Sequence, residues 1–503
     1  MNLLKLILYW AGIGLLVLIL LCISVFGLFI VWMKWSGERD WKRVEAELRA
    51  RGEKITIEEL VPPPPPDSEN FYADPMWQEL MDLVSGKPES IFFNSPTWHP
   101  RIPANKLLLN QWKTPLTTSE IERLHALIPD SSITPKSDRQ VVLVNLAGKF
   151  KTTDDAERRR QIAQLTLDLM QPASIMLSRT SELASRPTAF FPVRYQDGFA
   201  TALPHIPYLI MISRLLSWRS TAELELGDTS AAARDIITIL RLSTVEDSEP
   251  LIISQLVQIS NLSSGISEIN TGIEHHQWTE SDLVNFQNIL QKKNLNERLS
   301  SSLRGERAGF EVIAHSKEAD LNSSGVEQRA SLSLLKLDAQ YCEGDYFIQL
   351  QHRLDILKSA THGINESTLP ADKGLDSFIH LPIKTALHTL ERLALPSVDS
   401  AIRKTVETQT QLSQTLIACA LERYRLAHGV YPGALEQLIP GYMTSIPLEP
   451  TTGKPMQYRL LHNANFLLWA PGWKLMTLNG KLGQDYGEGD IVWTLPIAGG
   501  FRN

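Results

Sequence analysis

Leu209-Ile-Met-Ile-Ser-Arg-Leu-Leu-Ser-Trp-Arg-Ser-Thr-Ala-Glu-Leu-Glu-Leu-Gly-Asp-Thr-Ser-Ala-Ala-Ala-Arg-Asp-Ile-Ile-Thr-Ile-Leu-Arg-Leu242 reads as two helices meeting at a turn. The first runs from Leu209 to Leu226 and ends at Gly227-Asp228, where glycine can take the left-handed conformation that closes a helix. Thr229 or Ser230 then caps a second helix over Ala231 to Leu242. Ala222, Ala231, Ala232 and Ala233 are small enough to let the two helices approach closely.

The same alternation extends to both sides. Ser119-Glu-Ile-Glu122 has the form of a capping box, and Asp154 to Leu183 reads as one long helical run. Pro187 to Pro207 carries four prolines and reads as a loop folded over the helices. Helical runs follow at Pro250–Ile269, Thr279–Gln291, Asn296–His315, Leu332–Thr361 and Phe378–Leu393, with loops expected at Ser316–Ser331 and His362–Asp376. In its turn and alanine positions the Leu209–Leu242 unit resembles a tetratricopeptide-type hairpin. Stacked hairpins of that kind bury their faces on their neighbours, so the body reads as mainly α, an irregular helical repeat or bundle.

Toward the N-terminus, Leu6 to Met33 contains no charged residue. As a helix it is about 42 Å long against about 30 Å of hydrocarbon, long enough to cross a bilayer. Tyr9 and Trp10 sit near one end and Trp32 and Trp35 at the other, where amphipathic aromatics favour the interface. The run is longer than a signal-peptide core and no small-x-small cleavage site follows, so it reads as an uncleaved anchor in contact with lipid through residues 6–33. Ile19-Leu20-Leu21 before Cys22 lacks the small residue a lipidation site requires. Lys34, Arg39, Lys42 and Arg43 follow the span while Lys5 and the α-amino group precede it, which by the positive-inside rule favours a cytoplasmic bulk. Gly37–Arg51 reads as a short juxtamembrane helix, and Pro62–Pro66 as a stiff polyproline spacer. The expected organisation is an anchor at 1–36, a juxtamembrane and proline-rich linker at 37–69, a helical body at 70–396 and a small α+β module at 397–503.

The net charge of −7 on 503 residues argues against nucleic acid as a partner, because a phosphate backbone needs a concentrated basic face. With three cysteines, one of them inside the apolar run, Cys342 and Cys419 are expected as buried thiols, with a single disulfide as the alternative.

In the C-terminal module, Asp399–His428 is a long amphipathic helix stopped by Gly429, and strands are expected at Met456–Leu461, Asn465–Trp469 and Asp490–Thr494. Ala420-Leu-Glu-Arg-Tyr-Arg425 with Gly429-Val-Tyr-Pro432, the Pro447–Tyr458 turn and the glycine-rich Asn479–Trp493 resemble the globular head of type II secretion pseudopilins. The resemblance covers roughly the last fifth of the chain. It implies an exported head and a calcium-binding final loop, whose matching positions are Asp485, Glu488 and Asp490. Calcium takes six to eight oxygens on a flexible loop, and a solvated acidic turn is the alternative. The processed pilin start is missing and about 360 residues separate Met33 from the head helix, so the head is expected without pilus assembly. Ala46-Glu-Leu-Arg-Ala-Arg-Gly-Glu53, the proline run and Asn70-Phe71 resemble a group of bacterial membrane-anchored proteins, which implies the anchor and carries no activity with it.

Catalytic motifs are sparse. No GxSxG, HExxH, P-loop or GxGxxG pattern is present. His275-His276 is expected at an exposed loop end. Arg304-Gly-Glu-Arg307 with Glu311 is expected as a surface ion pair, against a buried polar anchor or peptide-carboxylate clamp. Glu343 and Asp345 near Tyr341 are expected on a helix surface rather than as an acid–base pair. The reading is an anchored envelope protein of the inner membrane with its bulk extracytoplasmic, a non-catalytic scaffold or binding protein with envelope protein partners, linked to secretion. A membrane-anchored hydrolase with an unrecognised site and a cytoplasm-facing scaffold are the alternatives.

Overall fold

The computed structural model describes residues 3–77, 80, 115–127, 133–134, 136–137, 139–245, 247–315, 326–358, 363–365, 368, 389–461, 465–472 and 491–494. Helix α1 spans Leu3–Ala50, 48 residues or about 72 Å. The segment expected as a separate juxtamembrane helix is the continuation of the apolar one. Neither Gly27 nor Gly37 interrupts it, and no proline falls within it. Its first half holds an 18-residue window of mean hydropathy 3.1 with none of it buried, so this helix is long and apolar enough to cross a membrane. In its second half Met33, Trp41, Val44 and Leu48 recur at helical spacing and are buried.

After the short α2 (Ile57–Leu60), held by a Thr56–Glu59 capping box, the proline run leads to Asn70. The Asn70 side chain accepts from the Tyr72 and Phe190 amides at 3.1 and 2.8 Å and donates to the Phe190 carbonyl at 3.0 Å. That fastens the run onto the Pro187–Phe191 stretch. Helices α3 (Thr118–Leu127), α4 (Arg139–Thr152), α5 (Ala156–Met170) and α6 (Ser174–Leu183) follow. The capping box of α3 is Thr117–Glu120, two residues ahead of the expected Ser119–Glu122. The single run expected over Asp154–Leu183 is divided by a 3-10 turn at Gln171–Ala173, since Pro172 has no amide to offer the helix. These helices enclose Phe71, Tyr72 and Trp77 in a first core.

Helices α7 (Ile206–Leu226) and α8 (Thr229–Leu242) form the expected hairpin. Gly227 closes α7 at φ 83°, and the cap of α8 is Asp228, whose carboxylate accepts from the Ala231 amide at 3.0 Å. Next come α9 (Ile252–Glu274), α10 (Glu280–Leu290), α11 (Leu295–His315), α12 (Val326–Lys358) and α13 (Thr389–His428). Pro396 lies inside α13 and does not end it. The loss of one backbone hydrogen bond there is offset by buried Val398, Ala401 and Ile402.

At 40 residues, about 60 Å, α13 links two cores. Its first half packs with α11, α12 and the second half of α1, through Val398, Ile402, Phe310, Phe347 and Trp41. Its second half packs with α8, α9, α10 and a small sheet, through Leu416, Cys419, Ile266, Phe286, Phe466 and Trp493. The sheet is antiparallel, in the order β1 (Gln457–Leu461), β2 (Asn465–Ala470), β3 (Ile491–Thr494), with Tyr458 opposite Leu468 and Leu468 opposite Trp493. Gln414 on α13 holds β3 by donating to the Ile491 carbonyl at 2.8 Å.

Candidate functional site

A dense polar cluster joins the end of α1 to the body. Glu53, 7% exposed, accepts from Arg304 Nε at 2.9 Å, an Arg307 guanidinium nitrogen at 3.1 Å and Lys358 Nζ at 2.7 Å. Arg307 is fully buried and also donates to Gln351 Oε1 at 2.6 Å and the Lys54 carbonyl at 3.1 Å. Burial works to raise the Glu53 carboxyl; hydrogen bonds from Arg304 and Lys358, with the charges of Arg304 and Arg307, outweigh it and bring its pKa to about 2. The expected surface pair of Arg307 with Glu311 is therefore corrected. Arg304 and Arg307 turn inward because a carboxylate some 250 positions away in sequence meets them, a partner that local spacing cannot reveal. This is a polar anchor that mounts the body on α1.

A second buried carboxylate explains the Ala420–Pro432 stretch. Glu422 accepts from Tyr431 Oη at 2.7 Å and from Arg425 at 2.6 and 2.9 Å, so the turn after α13 folds back on its last helical turns. Its third neighbour is His276 Nδ1 at 3.0 Å. His276 adopts φ 53°, and its amide bonds to the Ile273 carbonyl while that of Gln277 bonds to Gly272, the Schellman closure usually given to glycine. Both His275 and His276 are exposed at the end of α9, as expected, and His276 in addition bonds a buried carboxylate. Burial raises the Glu422 carboxyl, but the hydrogen bonds from Arg425, Tyr431 and His276 leave it below the ordinary range.

Two further histidine–carboxylate pairs meet the first requirement for acid–base work. His205 and Glu249 are 2.9 Å apart and essentially unexposed, with the imidazole stacked on Phe191 at 4.1 Å. A pair so enclosed has no approach for a substrate and is a packing element. His315 and Glu343 are 3.1 Å apart, with the imidazole half-exposed and the carboxylate buried. Burial pushes Glu343 up to about 7 despite its hydrogen bond with His315, and that same bond raises His315. The pair holds a proton near neutrality, a coupled titration rather than two separate ones. Glu343 is thus buried where a surface position was expected, while its expected companion Asp345 faces outward on the same helix.

Between α7, α9 and α13 lies an open groove of about 440 Å³. Leu256 and Ile259 supply apolar wall, and Ser260, Ser263, Ser264 and Ser267 form a hydroxyl stripe at helical spacing, with Lys404 and Glu268 beside it. Glu268 is occupied by the hydroxyls of Ser217 and Thr221, each at 3.0 Å, and among the described residues no histidine lines the groove. The groove can bind through hydroxyls and an amine. The stripe was present in the sequence as four serines at positions i, i+3, i+4 and i+7.

Cys342 and Cys419 are buried free thiols on separate cores. Asp485, Glu488 and Asp490 lie outside the described residues. Among the described residues no group of three or more histidine, cysteine, aspartate or glutamate side chains is arranged to hold a metal ion. No family model matches this chain, and no curated protein and no solved structure shows significant similarity to it.

Proposed function

We propose that this chain is a single-pass inner-membrane protein whose body stands in the cell envelope as a non-catalytic scaffold, holding protein partners and linked to secretion by a pseudopilin-like C-terminal module. The observation that carries the reading is the continuity of α1. The helix that is apolar enough to span a bilayer passes without a break into the core of the body and is fixed there by Glu53 on Arg304, Arg307 and Lys358. A helix mounted in this way fixes the body's height and direction over the membrane, which suits presentation of a surface better than free diffusion of an active site. The serine-lined groove supplies one such surface, with hydroxyls able to meet the backbone of an extended segment.

The alternative of a cytoplasm-facing scaffold is favoured by Lys34, Arg39, Lys42 and Arg43 after the span. Fusion of an export-dependent reporter after Asn503 decides between them. Activity is the expected outcome; silence there, with a cytoplasm-dependent reporter active at the same point, overturns the envelope reading. A photo-crosslinker at Ser264, read in cells, tests the scaffold. A discrete crosslinked protein is expected, and capture of a small molecule that is turned over would return the chain to the enzymes.

A further inference from the structure

The groove between α7, α9 and α13 has a direction. α9 and α13 lie side by side and run the same way: Leu256 packs against the core that holds Ile402 and Val406, and farther along Thr415 donates to Asn270 Oδ1 at 3.1 Å. Lys404 precedes Thr415 by eleven residues, which in this register sets it level with Ile259. At that end Leu256 and Ile259 form the apolar wall beside the Lys404 amine. Glu268 stands at the other end, nine residues or about 14 Å along α9. Between them Ser260, Ser263, Ser264 and Ser267 extend over about 10 Å, the length of about three residues of extended chain.

Several of these groups have bonding capacity left. Lys404 is half-buried and makes no ion pair among the described residues; the nearest acid along its helix, Glu407, pairs with Arg403 at 3.9 Å. The Ser263 hydroxyl oxygen is buried and has no hydrogen-bond partner among the described residues, a state that is rare in native proteins. Ser264 donates to the Ser260 carbonyl at 3.1 Å, and its oxygen can still accept. Glu268, by contrast, is held by Ser217 and Thr221.

We propose that the groove takes the C-terminal end of an extended protein chain, with its free carboxylate on Lys404, its last side chain, an apolar one, on Leu256 and Ile259, and its last few peptide groups on the serines. This names the partner chemistry of the scaffold reading and rests on that reading. A hydroxyl both donates and accepts, so a stripe of them meets the alternating N–H and C=O groups of an extended backbone. A chain terminus carries its carboxylate and its last side chain on one Cα, and the groove sets an amine and an apolar wall together at one end. A single amine suits a single negative charge. A phosphate calls for an arginine fork or a helix N-terminus, and among the described residues neither lines the groove. No aromatic ring lines it among the described residues either, so a sugar has no face to stack on.

The test uses the full chain in nanodiscs of phosphatidylethanolamine and phosphatidylglycerol. The probes are two matched pools of fluorescein-labelled hexapeptides, randomised at the four positions before a terminal leucine, one ending in a free carboxylate and the other in a carboxamide. By fluorescence anisotropy the acid pool is expected to bind roughly tenfold more tightly than the amide pool, the worth of one hydrogen bond to a charged group. Lys404→Gln should abolish that difference while leaving the melting temperature unchanged, because the amine has no ion pair to lose. Ser263→Ala should weaken both pools alike. Equal binding of the two pools overturns the proposal, as does displacement of the acid pool by inorganic phosphate at a concentration where acetate has no effect. Absence of binding by either pool also overturns it. The scaffold reading then stands if the photo-crosslinker at Ser264 still captures a discrete protein in cells, and falls with the proposal if it captures none.

Discussion

Replacing Glu53 by Gln should loosen the joint between α1 and the body more than any other single charge removal there. The substitution keeps volume and one acceptor but leaves Arg307, with no exposed surface, without its counter-charge. Breaking a buried pair from one side costs about 3–5 kcal/mol. Arg307 retains Gln351 Oε1 and the Lys54 carbonyl, which places the expected cost near the lower end, about 3 kcal/mol. Lys358 is half-exposed and can return to water, so Lys358→Met should cost only about 0–1 kcal/mol. Hydrogen exchange of the amides between Lys34 and Ala50 reads the joint locally, and about 3 kcal/mol corresponds to roughly a hundredfold faster exchange in Glu53→Gln. The effect has a pH signature. The carboxyl is held at about 2 in the folded state against an ordinary 4.5, so its contribution is complete above pH 4.5 and is lost as pH falls toward 2. Wild type and variant should therefore converge across that interval. Unchanged protection in Glu53→Gln, or an equal loss in Lys358→Met, would refute the assignment of Arg307 as the buried charge that matters.

Glu343→Gln should flatten the pH dependence of stability near neutrality. With the folded carboxyl raised to about 7, its contribution is full below pH 4.5 and declines as pH rises through 7, so the variant should lose less melting temperature than wild type between pH 5 and pH 8; an identical slope would remove the pair from the account. A Cβ on Gly37 would overlap the Gln340 carbonyl, so Gly37→Ala should cost about 1–3 kcal/mol by thermal unfolding. Gly27→Ala meets nothing within 4 Å and should be neutral or slightly stabilising; equal effects at the two sites would contradict the close helix approach. Under native conditions a maleimide should leave Cys342 and Cys419 unmodified, because both are buried and burial pushes both thiols up, with modification appearing only in denaturant; mass spectrometry of the intact chain counts the adducts.

Elements whose signals are local were legible. The α7–α8 hairpin follows its apolar periodicity and Gly227, and the strands at Gln457, Asn465 and Ile491 start within a residue of expectation. Errors arose where tertiary contacts override local preference. Pro396 breaks an isolated helix, yet α13 passes through it on the strength of buried neighbours. Gly37 suggested a boundary between anchor and juxtamembrane helix, but there it is the residue that lets α12 approach α1. The candidate sites were less legible still. Glu53 with Arg307 and His276 with Glu422 are meetings of residues far apart in sequence, and a charged residue that will be buried reads like one that will be solvated until its partner is known. His205 offered the same difficulty: neither Glu249 nor Phe191 announces itself as its neighbour.

The clamp at Glu53 also dictates an order of events during synthesis. Arg304 and Arg307 lie 251 and 254 residues beyond their partner, and Trp41, Val44 and Leu48 share a core with residues of α11 and α12. At about 5–20 residues per second the ribosome needs on the order of 10–50 s to deliver those partners after Glu53 emerges. Throughout that interval the second half of α1 is a helix with an apolar stripe and no cover from its own chain. A segment made early is thus enclosed late, so a nascent chain arrested before α11 should expose Trp41 to protease, and one extended beyond Lys358 should protect it.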